Sequence, residues 1–153
     1  MKFEDLYHTG LVVDDIEAAM RFFTDIAGYE WCGIGSGEQI IEIDGEKRSI
    51  TMTVTYSKSE PRIELIQSVP GTLWTPTTCG VHHLGYWSED VDRDIQALLA
   101  RGLSLEAKSV LLDGTAMWAY CRNKAGGPRI ELVGEIIKPM LMEMFKAGVP
   151  TAG

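Results

Sequence analysis

The chain has 153 residues, of which 45% are hydrophobic and 24% charged, an ordinary globular composition that excludes disorder and is long enough for one domain with a real core. A formal net charge of -8 leaves no basic footprint for nucleic acid or an anionic membrane surface, and Lys and Arg occur singly or in pairs. No apolar run approaches the roughly 20 residues of a membrane span, and the start Met1-Lys2-Phe3-Glu4-Asp5 lacks the order of a signal peptide, so a soluble, cytoplasmic protein is expected.

In chain order, the first predicted unit is a strand running from His8 into an amphipathic helix, HTGLVVDDIEAAMRFFTDIAG over residues 8–28, with Ile16, Ala19, Met20 and Phe23 on one stripe. Asp14, Asp15 and Glu17 suit the positive end of that helix, and Gly28 suits its C-terminal cap. A turn is predicted at Gly35-Ser36-Gly37, a strand over 40–43, a turn at Asp44-Gly45, and an alternating strand through Ile50, Met52, Val54 and Tyr56. The string Pro61-Arg62-Ile63-Glu64-Leu65 ends this half, and residues 68–79, with Pro70, Gly71 and Pro76, read as a linker.

The chain then repeats itself. HLGYWSEDVDRDIQALLARG over 83–102 again has His, Gly two residues on, Asp seven on, and an amphipathic helix with Val91, Ile95, Leu98 and Leu99 on one stripe before Gly102. Glu89, Asp90 and Asp92 crowd its start. Strands are predicted at 103–105 and 117–121, with turns at Asp113-Gly114 and Gly126-Gly127, and Pro128-Arg129-Ile130-Glu131-Leu132 duplicates the first string. The His-to-His offset of 75 and Glu-to-Glu offset of 67 place about eight extra residues in the first half. The expected organisation is one α+β domain over 1–153. A first βαβββ module spans 5–67, the linker 68–79, a second module 80–134, and a closing helix 135–147 precedes a loose tail from Gly148 to Gly153. Cys32, Cys79 and Cys121 are expected to be reduced and buried.

Side chains alternate across a strand, so if Ile63, Leu65, Ile130 and Leu132 face the helices, Glu64 and Glu131 face the opposite side, with His8 and His83. For a single strand Glu or His, a solvated or partly buried side chain is the ordinary reading, but chance does not account for the same pair recurring in both halves. Two imidazoles and two carboxylates suit one divalent metal, zinc, nickel, cobalt, manganese or iron, with positions left open. His83 is chosen over His82 because only His83 has Gly at +2 and Asp at +7, as His8 does; His82 is expected on the opposite sheet face in a structural role.

The His-x-Gly strands leading into acid-capped helices, and the two IEL strands, resemble the vicinal oxygen chelate superfamily over residues 5–134. That superfamily includes glyoxalase I, methylmalonyl-CoA epimerase, extradiol dioxygenases and bleomycin-resistance proteins. The resemblance implies a curved-sheet cleft built from paired βαβββ modules, with the metal held by His8, Glu64, His83 and Glu131, within one chain or shared across a homodimer. It also implies a proton-transfer lyase or isomerase of the glyoxalase type, acting on a small vicinally oxygenated carbonyl compound through an enediolate, with Glu131 or Glu64 as base and Glu131 preferred. The alternatives are an epimerase-like racemase, in which Glu46 or Glu42 is an additional base, a non-haem iron dioxygenase, and a bleomycin-resistance-type binding protein. In that last case Trp31, Trp74, Trp87 and Trp118 are pocket candidates, with core packing as the ordinary alternative and Trp87 sharing a face with His83. Arg21, Arg62 and Arg122 are the candidates for a glutathione contact.

Overall fold

A computed structural model describes residues 1–146, and the loose tail expected from Gly148 lies outside the described residues. Each half is β-α-β-β-β. The first contains β1 (Leu6–Val13), α1 (Ile16–Ala27), β2 (Gly35–Ile43), β3 (Glu46–Tyr56) and β4 (Arg62–Gln67). The second contains β5 (His83–Ser88), α2 (Val91–Leu99), β6 (Leu103–Val110), β7 (Ala116–Asn123) and β8 (Arg129–Gly134). A 3-10 turn (Glu135–Ile137) leads into α3 (Lys138–Lys146).

The two Asp residues at +7 from each His are the helix N-caps. Asp15 accepts from the Ala18 amide at 2.8 Å and Asp90 from the Arg93 amide at 2.9 Å, satisfying backbone donors that have no partner within the helix. Gly28 closes α1 in the left-handed region at φ 71°, as expected. Asp44 and Gly45, at φ 52° and 79°, turn the chain between β2 and β3.

The eight strands close into a barrel in the order β1-β4-β3-β2-β6-β7-β8-β5. The order is the same read from either module. β1 pairs with β4 in parallel and β5 with β8 in parallel, and the modules meet at two antiparallel seams, β1 with β5 and β2 with β6. The expected cleft is thus closed at its rim by the β2–β6 seam, which pairs Ile41 with Ser109, Glu42 with Lys108 and Ile43 with Ala107.

Alternation sorts the side chains as the sequence predicts. Ile63 and Leu65 pack under α1 with Ile16, Trp31, Met20 and Phe23, and Ile130 and Leu132 pack under α2 with Val91, Ile95 and Leu98. Inside the barrel, Val12, Ile41, Met52, Ile66, Trp118 and Tyr120 form one cluster, and Tyr56, Trp87, Val133, Leu141 and Phe145 form another.

Three expectations are corrected. Gly35-Ser36-Gly37 is no turn but the start of β2, paired with Val54, Thr53 and Met52; backbone hydrogen bonding to β3 overrides the turn preference of the two glycines. Cys79 is exposed, while Cys32 and Cys121 are buried. Segment 68–79 is irregular as expected, yet it is more than a linker, because it carries Trp74, fully buried against Trp118 and Tyr120. Replacing Trp74 by Ala should cost about 3–5 kcal/mol. Urea unfolding checks this, and a loss below about 1 kcal/mol would show that the segment is dispensable to the core.

Candidate metal centre

Two rows of residues run across the strands and meet in the barrel. In one, Tyr56 of β3 faces Glu64 of β4, Glu64 faces Gly10 of β1, and Gly10 faces His83 of β5. In the other, Tyr120 of β7 faces Glu131 of β8, Glu131 faces Gly85 of β5, and Gly85 faces His8 of β1. Residues in register share a sheet face, so each row delivers its side chains to the same interior point.

The four sequence-selected residues come together there within the one chain. One ligand-type atom from each lies within 4.8 Å of the others. His8 Nε2 and His83 Nε2 are 2.8 Å apart; Glu64 Oε2 is 2.9 Å from His83 Nε2 and 3.4 Å from His8 Nε2; Glu131 Oε2 is 3.1 Å from His8 Nε2 and 3.4 Å from His83 Nε2. Such separations match neighbouring ligands around one cation at a metal–ligand distance of about 2.1 Å.

All four residues are buried, and the two Oε2 atoms have no hydrogen-bond partner beyond the His8 and His83 Nε2 atoms they face. Two carboxylates brought together in a dry interior are costly without compensating positive charge. His8, Glu64, His83 and Glu131 would hold a divalent ion whose charge offsets that cost, so the donor set fits a metal.

Glycine is required at the crossing of the two rows. A Cβ on Gly10 would stand 1.8 Å from His83 Cε1, and one on Gly85 would stand 1.9 Å from His8 Cε1. Each imidazole lies on the bare backbone of the other module's first strand. This is the physical content of the His-x-Gly spacing, which the sequence displays twice without revealing that each glycine serves the opposite histidine.

Two tyrosines also belong to the centre, and the sequence reading passed over them. Tyr56 donates its hydroxyl to Glu64 Oε1. Tyr120 occupies the equivalent place beside Glu131, in weaker contact. Burial, followed by the field of the two carboxylates, raises both phenols well above their ordinary value, so they remain hydrogen-bond donors. The available signal was a Tyr late in the strand before each PRIEL string.

His82 corrects the expected opposite face. Its ring packs against Tyr120 beside that of His83, because His82 precedes β5, where strand alternation does not yet apply. Its Nε2 lies 2.9 Å from the Leu73 carbonyl, to which it must donate, and its Nδ1 lies 3.0 Å from His83 Nδ1. Burial depresses His82 to about 4, so it is neutral with Nδ1 unprotonated. The proton between the rings therefore sits on His83 Nδ1, which leaves Nε2 as the ring atom directed at the cluster.

Without a metal the cluster holds protons instead. Burial alone would lower His83, but Glu131 and then Glu64 outweigh it and raise the imidazole to about 9. Burial would likewise raise Glu64 and Glu131, yet the charges of His8 and His83 hold both below the ordinary carboxylate value.

The other candidates lie elsewhere. Arg21 pairs with Glu17 on the exposed face of α1, Arg62 donates to the carbonyls of Ser57 and Lys58, Arg122 pairs with Glu106, and Glu46 pairs with Arg48 at the surface. Glu42 is partnered with Lys47 and Lys108 across the strands at the β2–β6 seam. A cavity of about 460 Å³ adjoins Glu64 and Glu131, and of the four tryptophans only Trp118 lines it, while Trp31, Trp74 and Trp87 are buried in packing clusters. No helix among the described residues is long and apolar enough to cross a membrane.

Residues 7–121 match the family model described as Glyoxalase/Bleomycin resistance protein/Dioxygenase superfamily. No curated protein matches the sequence. Among solved structures, a Streptomyces coelicolor methylmalonyl-CoA epimerase variant in complex with 2-nitronate-propionyl-CoA is similar at 17% identity and a TM-score of 0.58, over 84% of this chain and 92% of that one. Methylmalonyl-CoA epimerase from Mycobacterium tuberculosis aligns at 19% identity and a TM-score of 0.54, over 85% and 87% of the two chains. A hypothetical protein from Bacillus halodurans aligns at 17% identity and a TM-score of 0.55, over 84% and 92%. At these identities the likeness is one of fold.

Two outcomes follow from the geometry. Gly10→Ala and Gly85→Ala should each lower divalent-metal affinity at least about tenfold, whereas Gly33→Ala, with open space around its Cβ position, should not. Metal titration monitored by calorimetry checks this, and unchanged affinity in both variants would refute the seating. In chelator-treated protein, the raised His83 contributes stability that is full below about pH 6.5 and lost as pH rises through about 9. The depressed His82 contributes stability present above about pH 6.5 and lost as pH falls through about 4, and the lowered carboxyls add to that acid limb. Thermal melts across pH should therefore peak near pH 6.5, and zinc should flatten the alkaline limb; an alkaline limb indifferent to zinc would count against a shared site.

Proposed function

The chain belongs to the Glyoxalase/Bleomycin resistance protein/Dioxygenase superfamily, and from that premise we propose that it is a divalent-metal-dependent lyase or isomerase of the glyoxalase type. It moves a proton at the carbon beside a carbonyl in a small substrate carrying two adjacent oxygens. The observation that carries this reading is the convergence of two buried carboxylate oxygens with two imidazole nitrogens, one ligand-type atom from each residue within 4.8 Å of the others. In this reading His8, Glu64, His83 and Glu131 hold zinc, nickel, cobalt, manganese or iron. The ion, when bound, supplies Lewis acidity that makes the carbon beside the carbonyl easier to deprotonate.

The division of work among the residues follows from their surroundings. Glu64 and Glu131 line this cavity, whereas His83 does not and His8 lines a separate one with Tyr7 and Arg62, so the carboxylates face a substrate bound here and the imidazoles serve as anchors behind them. Glu64 is tethered through Oε1 to the Tyr56 hydroxyl. Glu131 lacks so close a tether, which favours it as the group that takes the proton. The Tyr120 phenol, kept protonated and without so close a bond, can donate to negative charge developing on substrate oxygen, while the Tyr56 hydroxyl stays committed to Glu64. The apolar wall around them excludes water that would compete for that charge.

Glu131→Gln should retain one metal per chain and lose proton transfer by at least about a hundredfold. Metal content by mass spectrometry, combined with solvent-deuterium uptake into hemithioacetal, thioester and hydroxyketone candidates by NMR, tests both halves. Wild-type exchange in the variant would sink the base assignment. A chelator-free preparation of the wild type with no stoichiometric metal would instead favour a binding protein.

A further inference from the structure

We propose that the substrate is a compact, carrier-free molecule: an aromatic or branched aliphatic body bearing its two adjacent oxygens at one end, and not a thioester of a multiply charged carrier. The proposal rests on the metal-dependent reading above and names the substrate class for that site.

The cavity adjoining the cluster is graded in chemistry from floor to lip. Its floor carries Glu64 and Glu131 with the phenols of Tyr56 and Tyr120. Above them the wall is apolar, with Ile66, Val133, Met52 and Met117, and it is covered by Ile137 of the 3-10 turn and by Met140, Leu141 and Met144 of α3. The polar side chains at the lip are already engaged: Ser36 bonds Thr53 at 2.8 Å, and Gln39 accepts from Trp118 at 3.0 Å. A substrate that satisfies all three levels has polarity at the floor and an apolar body above it.

Charge points the same way. Among the described residues the lining contains no Lys, Arg or His, and its only carboxylates belong to the cluster. The two lysines of α3 are engaged by Glu135 and Glu143, and Arg62 is bound to backbone carbonyls and stacked on Phe145. A carrier bearing phosphates or several carboxylates meets no cation here, in a chain of net charge -8. Four methionines supply the remainder of the fit, since flexible, polarisable thioethers conform to flat or branched apolar groups. A volume of about 460 Å³ suits a single small ligand of this kind.

The test uses the full-length protein loaded with cobalt, with the metal content of each sample measured before titration. Calorimetry compares benzohydroxamate with acetohydroxamate, which presents the same oxygen pair without the apolar body, and with acetyl-CoA and S-methylglutathione. Benzohydroxamate should bind at least about tenfold tighter than acetohydroxamate and tighter than either carrier compound. Met144→Gln, a substitution of similar shape that makes the cover polar, should weaken benzohydroxamate several-fold and leave acetohydroxamate unchanged. Equal affinities for the two hydroxamates, or tighter binding of a carrier compound, in protein holding one cobalt per chain would overturn the substrate class and leave the metal reading standing. Protein that takes up no cobalt and binds neither hydroxamate would overturn both.

Discussion

The antiparallel pairing of β1 with β5 is the contact on which the rest of the centre depends. It sets His8 opposite Gly85 and Gly10 opposite His83, so that two imidazoles from strands 75 residues apart in sequence meet at their Nε2 atoms. A slip of one residue would turn both rings toward the helices. The parallel pairs β1–β4 and β5–β8 then bring Glu64 beside Gly10 and Glu131 beside Gly85. The β2–β6 seam closes the barrel around the result and removes it from bulk water.

That burial makes the electrostatics consequential. Two carboxylates and two imidazoles in a dry interior must be neutralised by protons or by a cation, and the directions of their proton affinities show them sharing protons in the absence of metal. Uptake of a divalent ion by this cluster would therefore release protons, and its affinity would carry a pH dependence through these groups.

Much of this was legible because duplication writes each requirement twice. His8 with His83, Glu64 with Glu131, and Asp15 with Asp90 stand out by recurrence, and alternation along a strand is enough to place the glutamates opposite Ile63, Leu65, Ile130 and Leu132. What escaped depended on neighbours across strands. The spacing from Tyr to Glu is 8 residues in the first half and 11 in the second, so Tyr56 and Tyr120 fall out of register with each other in sequence while agreeing in space. His82 was misplaced because alternation was extended one residue beyond the strand. Trp74 takes the core role that was the ordinary expectation for it, inside a segment whose Pro70, Gly71 and Pro76 describe backbone, not what one side chain buries. The two glycines at Gly35 and Gly37 carry turn preference, but the β3 edge supplies partners for their backbone.

The environments of the paired residues have diverged even though their positions have not. In the first half Glu64 is bound by Tyr56 while His8 Nδ1 has no partner; in the second half His83 is backed by His82 and Leu73, while Glu131 is less closely held. Each repeat has thus kept one ligand fixed and released the other, and the fixed ligand is of opposite type in the two. Exact twofold symmetry would make the two glutamates equivalent and the two histidines equivalent. Because the surroundings differ, the centre has a stationary side and a responsive side although its ligand types repeat.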